Sequence, residues 1–326
     1  MFTRPDLDDD AITEALRSKW NFGATHIEYA PVGFGSHHWH VSDGANRLFV
    51  TIDDLYAKQH GRTLDDAHHR LASALASAAR LREAGLDFVV APLPTIDAAI
   101  TFDLSDRYVM AVYPHCDGQT RGYGPYATEA ERLAVLDRLI QLHSAPDTCR
   151  AEALVDDFEL AGRRELAAAL GSLDTRWETG PFAEPARQLL AANADGVVDA
   201  LRSYDTLVDR VRTRPQRMVL THGEPHPANT IVTAHGVQLI DWDTALIAPP
   251  ERDLWELTAE DPAVATRYDE RTGTTIDPDA IELYRLCWDL SEVGIYISEF
   301  RQPHTTSDDT STAWTNLQTF LDSTRW

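Results

Sequence analysis

Two short stretches of the chain hold residue types that can do chemistry together. The first is Thr221-His222-Gly223-Glu224-Pro225-His226-Pro227-Ala228-Asn229, and the second, beginning about ten residues on, is Leu239-Ile240-Asp241-Trp242-Asp243. Phosphoryl transfer from a nucleotide needs a carboxylate to orient an attacking hydroxyl and accept its proton. It also needs an amide oxygen on a metal ion and a second carboxylate bridging metal and phosphates. A His-x-acid-x-x-x-x-Asn loop, followed by a strand that ends in Asp, offers those groups, and a strand pair between the stretches would return the chain and set them side by side. A zinc set of His222, Glu224 and His226 is the competing reading. Its spacing is not that of the helical zinc motif, and the loop contains two prolines. Taken singly, His222 and His226 are ordinary loop histidines and Asp241 a turn residue; it is the whole set at this spacing that points to chemistry.

The pattern His-Gly-acid-x-His-x-x-Asn with Ile-Asp-Trp-Asp resembles the aminoglycoside phosphotransferases and related small-molecule kinases. The continuation Ala248-Pro249-Pro250-Glu251-Arg252-Asp253-Leu254 is similar to the spectinomycin phosphotransferase branch. The resemblance covers nearly the whole chain in element order and implies an α+β, bilobal, protein-kinase-like fold. It implies Asn229 and Asp241 as Mg2+ ligands and Glu224 in the base position of a catalytic loop to which His222 belongs as a structural member. Asp243 would be a further carboxylate behind them, and Arg252 and Asp253 a structural ion pair or helix N-terminal feature. The implied donor is ATP or GTP. The implied acceptor is a hydroxyl of an aminoglycoside, an aminocyclitol or a similar cationic small molecule.

By the same resemblance, Gly33-Phe34-Gly35-Ser36 stands where a glycine turn covers the phosphates. Tyr113, Pro114, His115 and Cys116 stand where the nucleotide base meets the linker. The late helix offers Trp288, Asp289 and Glu292 on neighbouring turns, with Tyr296 one turn on, as an acceptor pocket.

Three positions depart from the family pattern. Glu224 replaces the usual Asp, which lengthens the base by one methylene where catalysis depends on positioning. The strand Leu48-Phe49-Val50-Thr51-Ile52-Asp53-Asp54 has Thr51 at the position of the phosphate-binding lysine. The helix over 64–84 has acids only near its ends, Asp65, Asp66 and Glu83, so the glutamate that pairs with that lysine is missing too. The two losses are coherent, because a buried glutamate without its lysine would be an unpaired charge. Lys58, Lys19, Arg62, Arg70, His37, His38 and His40 are the candidate replacements, with Lys58 preferred. A pseudokinase-like protein that binds nucleotide or metabolite without turnover is the alternative that the missing pair supports.

These groups need a scaffold, and the chain reads as one with two parts. Periodicity and turn residues predict strands over 26–32, 38–41, 47–52, 88–92, 98–103 and 107–113, with helices over 8–20 and 64–84. Residues 1–115 are therefore a strand-rich nucleotide lobe. Residues 116–326 form a helical catalytic and substrate lobe, with helices over 128–144, 159–170, 183–212 and 278–300 and short strands at 218–220 and 237–240. The stretch 301–312 reads as a polar loop.

A chain of 326 residues suits two lobes better than one core. Its 52 acidic against 29 basic side chains, net −23, argue against a polyanionic nucleic-acid partner and would attract a cationic ligand, although an acidic surface that simply aids solubility is the plainer reading. Three widely spaced cysteines, an acidic start and the lack of a long apolar run predict a reduced cytoplasmic protein with no membrane partner, and a monomer or homodimer is the expected state without any residue pattern to choose between them.

Overall fold

The structure is a computed structural model and describes residues 2–33, 35–59, 62–214 and 218–322. An acidic first turn starts α1 (Asp9–Trp20), where the Asp8 side chain caps the Asp10 amide. Strands β1 (His26–Ala30), β2 (Ser36–Ser42), β3 (Arg47–Asp54), β4 (Phe102–Asp103) and β5 (Tyr108–Pro114) form one antiparallel sheet in the order β1-β2-β3-β5-β4. Side chains alternate across a strand, so β3 is two-faced. Val50 and Ile52 pack with Trp39, Met110 and Val112 against Ile12 and Leu16 of α1, which places Thr51 and Asp53 on the opposite face.

After β3 come the one-turn α2 (Leu55–Lys58) and the long α3 (Leu64–Glu83), entered through a Thr63/Asp66 capping box. The apolar side of α3 packs with Phe88, Val89, helix α4 (Glu129–His143) and Trp242 in the largest core. A second core joins α5 (Arg163–Leu170), α6 (Ala183–Ala192), α7 (Ala194–Val211), α10 (Pro278–Phe300) and α11 (Asp308–Phe320). Two small sheets lie in this half. In one, β7 (Val219–Thr221) pairs with β10 (Leu246–Ala248). In the other, β6 (Gln119–Thr120), β8 (Thr230–Thr233) and β9 (Gly236–Leu239) run in that order. Helices α8 (Glu251–Glu260) and α9 (Ala263–Thr272) connect β10 to α10.

Five segments differ from their sequence expectation. Residues 88–92 make a single parallel bridge, Val89 to Leu239, and 98–103 shrinks to β4. The helix expected over 159–170 starts only at Arg163, after Gly162 in the left-handed region. The span 183–212 is two helices, because Asn193 interrupts it at φ −114. The expected loop 301–312 runs into α11, whose polar start is the Ser307/Thr310 capping box with Asp309 buried behind it, and whose apolar buried face begins at Ala313. Among the described residues, no helix is long and apolar enough to cross a membrane.

Candidate active site

Local structure alone brings the two chemical stretches together. The loop leaves β7 at Thr221, makes one 3-10 turn at Pro227–Asn229 and enters β8. The β8–β9 hairpin then returns the chain so that the Ile240 amide donates to the Asn229 carbonyl at 3.0 Å. Asn229 and Asp241 are thereby neighbours. The Asn229 amide nitrogen donates to the Glu224 carbonyl at 3.0 Å, which leaves its oxygen as the group for a cation.

His222 holds the loop in shape. Its Nε2 donates to the Ile240 carbonyl at 2.8 Å, its Nδ1 accepts the Glu224 amide at 3.2 Å, and its ring lies 4.5 Å from Trp242. The His222 and Gly223 amides donate to the buried Asp253 carboxylate at 2.9 and 2.6 Å, and His143 Nε2 joins them at 3.0 Å. Arg252 donates to Thr221 Oγ1 and the Thr244 carbonyl. Gly223 sits at φ +106, and a Cβ there would meet the Arg252 guanidinium at 2.5 Å. His222 thus has both ring nitrogens engaged by backbone, and its role is architectural, as is that of Arg252 and Asp253.

The electrostatics are those of a cation site. Glu224, Asp241, Asp243 and Asp53 influence one another, and Lys58 is the ammonium among them. Burial, with Asp243 next and Arg252 opposing, pushes Glu224 up to about 7. Asp241, in the left-handed region at φ +64, is reached by solvent on one side and walled by protein on the others. That desolvation, with Asp243 beside it, drives its pKa well above the ordinary aspartate value. Asp243 is held low: burial opposes this, and Lys58 outweighs it. An amide oxygen and a crowded, partly solvated carboxylate are hard oxygen donors, so Asn229 and Asp241 fit a magnesium ion. Among the described residues, no three His, Cys, Asp or Glu side chains form a ready-made metal cage. Magnesium keeps several waters and binds through one or two protein groups and the substrate phosphates.

Of the candidate replacements for the missing lysine, Lys58 is the one that lies among the site carboxylates. Its Nζ lies 3.1 Å from Asp53 Oδ1 and bonds Asp243 Oδ2. Burial pulls its pKa down, but Asp243 and Asp53 outweigh that and hold it well above the lysine value. Lys19 sits over Phe102 and beside Asp97; Arg62 and Arg70 both pair with Asp157. His37 faces Tyr29, and burial lowers the pKa of His37, His38 and His40 alike, His38 to about 3. Those rings carry no charge at neutral pH. Thr51, at the lysine position, shares a hydrogen bond with the Tyr113 hydroxyl on the same sheet face as Asp53.

The other expected residues are distributed unevenly. Gly33 and Gly35 are both at positive φ, Ser36 donates to Asp53 Oδ1 at 2.6 Å, and Phe34 lies outside the described residues. His115 lies against Asp117 and the edge of His40. Trp288 lies with its ring 6.3 Å from that of His226, and Glu292, pushed up to about 7 by burial, acts electrostatically on Glu224. Asp289 is buried and bonded by Arg285 at 2.9 Å, one helical turn away, so its carboxylate is engaged within its own helix. Tyr123 was missed. Its ring lies nearly parallel to Trp288 at 6.3 Å and edge-on to His226 at 5.1 Å. Among the described residues, His226 Nδ1 and Trp288 Nε1 are buried without a hydrogen-bond partner. Asp53 was missed as well; its sequence signal was only an acid at the end of an otherwise apolar strand.

A five-stranded sheet with one long helix, a helical remainder, and a carboxylate–amide–carboxylate cleft define a bilobal kinase-like phosphotransferase. The comparisons agree. The model of the APH phosphotransferase enzyme family matches residues 26–284, and the chain belongs to that family. It is 30% identical over 255 residues to protein StrN of Streptomyces griseus, covering 75% of each chain. Its fold is similar to that of a spectinomycin phosphotransferase solved with ADP and spectinomycin, with a TM-score of 0.76, 14% identity and coverage of 98% and 96% of the two chains. Choline kinase LicA from Streptococcus pneumoniae shares the fold at a TM-score of 0.58, 17% identity and coverage of 96% and 98%.

Proposed function

We propose that the protein transfers the terminal phosphoryl group of ATP or GTP to a hydroxyl of a cationic small molecule, an aminocyclitol or aminoglycoside in the first instance. The observation that carries the reading is the convergence of Glu224, Asn229 and Asp241 on one loop and hairpin, with the Lys58 ammonium acting on both carboxylates. The acceptor oxygen forms a bond to the terminal phosphorus, the bond from that phosphorus to the bridging oxygen breaks, and its electron pair leaves with the nucleoside diphosphate. The hydroxyl proton passes to Glu224, whose pKa near 7 suits a base at neutral pH. Asn229 and Asp241 would hold the magnesium ion, which neutralises charge on the phosphates. Lys58 takes the phosphate-binding role of the absent strand lysine.

For the acceptor, Trp288, Tyr123 and His226 give an aromatic wall beside Glu224 and Glu292, a combination suited to an amine-bearing ring. The spectinomycin complex of the structural neighbour supports the same class. The test is a magnesium-dependent rise in melting temperature with ATP or GTP. It is followed by mass spectrometry of a panel of aminocyclitols, aminoglycosides and amino alcohols for a phosphorylated product. No nucleotide shift and no product from the panel would overturn the reading.

A further inference from the structure

A phosphate-binding lysine is a long, flexible side chain, and it needs an anchor to stay where the phosphates come. The anchor that a kinase helix ordinarily supplies is absent: the buried face of α3 is Ala, Leu and Ser, and its acids lie near the ends. Asp53 lies on the cleft face of β3 and is 3% exposed. It is directly opposite Ser36 in the β2–β3 register and accepts that hydroxyl at 2.6 Å. The same oxygen meets Lys58 Nζ at 3.1 Å. A buried carboxylate so placed is costly without a cation, and Lys58 is the cation it has. The second partner of Lys58, Asp243, belongs to the other side of the cleft, two residues beyond Asp241. The two anchors therefore differ in kind. Asp53 is fixed by the sheet and by the Ser36 hydroxyl of β2, whereas Asp243 is part of the loop that carries Asp241.

We infer that Asp53 is the positioning residue for Lys58, holding the ammonium over the phosphate site in place of the missing helix glutamate. The inference rests on the proposed role of Lys58. It also explains why the strand tolerates Thr51: the lysine has moved a few residues along the chain, onto α2, and its carboxylate has moved from the helix to the strand.

The test is a double-mutant cycle read by calorimetric titration of the full chain with magnesium and ATP, and with magnesium and GTP, so that the readout is affinity and not turnover. Lys58→Met is expected to weaken binding tenfold or more, and Asp53→Asn about fivefold. The Asp53→Asn/Lys58→Met double variant is expected to bind within twofold of Lys58→Met alone. A merely structural Asp53 would instead multiply its loss onto that of Lys58→Met, and that result overturns the inference while leaving the role of Lys58 intact. If Lys58→Met binds as tightly as the wild type, the role of Lys58 falls and the inference falls with it. Should Asp53→Asn fail to fold, Asp53→Glu replaces it in the same cycle. Its affinity loss must vanish in the Lys58→Met background, and persistence of the loss overturns the inference.

Discussion

Replacing Glu224 with Gln separates chemistry from stability. The substitution keeps the shape and removes the charge, and the Asn229 amide bonds the Glu224 backbone carbonyl, so the loop keeps its tie to the metal side. As general base, Glu224 is worth about 10²–10⁴-fold, so kcat falls by that factor while nucleotide affinity stays within about threefold. In wild-type protein the rate climbs with pH up to about 7 and then levels, because Glu224 accepts a proton only when ionised. Glu224→Gln loses that limb. Stability moves the other way. The folded pKa is raised from 4.5 to about 7, so the native state binds more protons than the unfolded chain between those values and loses stability as pH rises through them. At about 1.4 kcal/mol per pH unit the full cost at pH 8 is ~3 kcal/mol; with the side chain 32% exposed, solvent screening reduces it to on the order of 1 kcal/mol. Glu224→Gln is thus more stable than wild type at pH 8, and the gain disappears by pH 5. The assay pairs urea unfolding at both pH values with initial rates on an accepted substrate. A variant that keeps a tenth or more of wild-type kcat refutes the assignment of the base.

Asp241→Asn removes a crowded carboxylate at no cost to the fold, so its melting temperature without ligand is no lower than that of wild type, while the magnesium-dependent shift with nucleotide is lost. Gly223→Ala forces a Cβ into the Arg252 guanidinium at φ +106 and costs about 2 kcal/mol or more by urea unfolding, with loop activity lost. Burial lowers His226 to about 4. The unfolded chain therefore takes up a proton below about 6.5 that the native state refuses, and stability drains as pH falls from 6.5 toward 4. His226→Gln removes that drain, so its stability relative to wild type improves by about 1–2 kcal/mol between pH 7.5 and pH 5; an unchanged difference would show a charged or exposed ring.

Much of the site was legible in the sequence because local structure holds it. Glu224, Asn229 and Asp241 are joined by one loop and one hairpin, so their spacing along the chain largely dictates their spacing in space, and the same holds for the helices with a clear apolar period. Short strands were less legible, as 88–92 shows, because its one bridge is made to Leu239, far along the chain. Polar caps misled in a different way: the start of α11 reads as loop until the buried face of Ala313 and Leu317 is seen packed.

What only the tertiary structure decided are the pairings between distant charges. Lys58 and Asp243 are 185 residues apart, and nothing local distinguishes Lys58 from Lys19 or Arg70. Asp289 looked like a pocket carboxylate until Arg285 was found on it, and Asp53 looked like a strand end until Ser36 and Lys58 converged on one of its oxygens. A motif encodes the groups that share a loop. A charge finds its partner only when the sheet and the helices have closed around it, since Coulombic pairing depends on distance and burial and not on order along the chain.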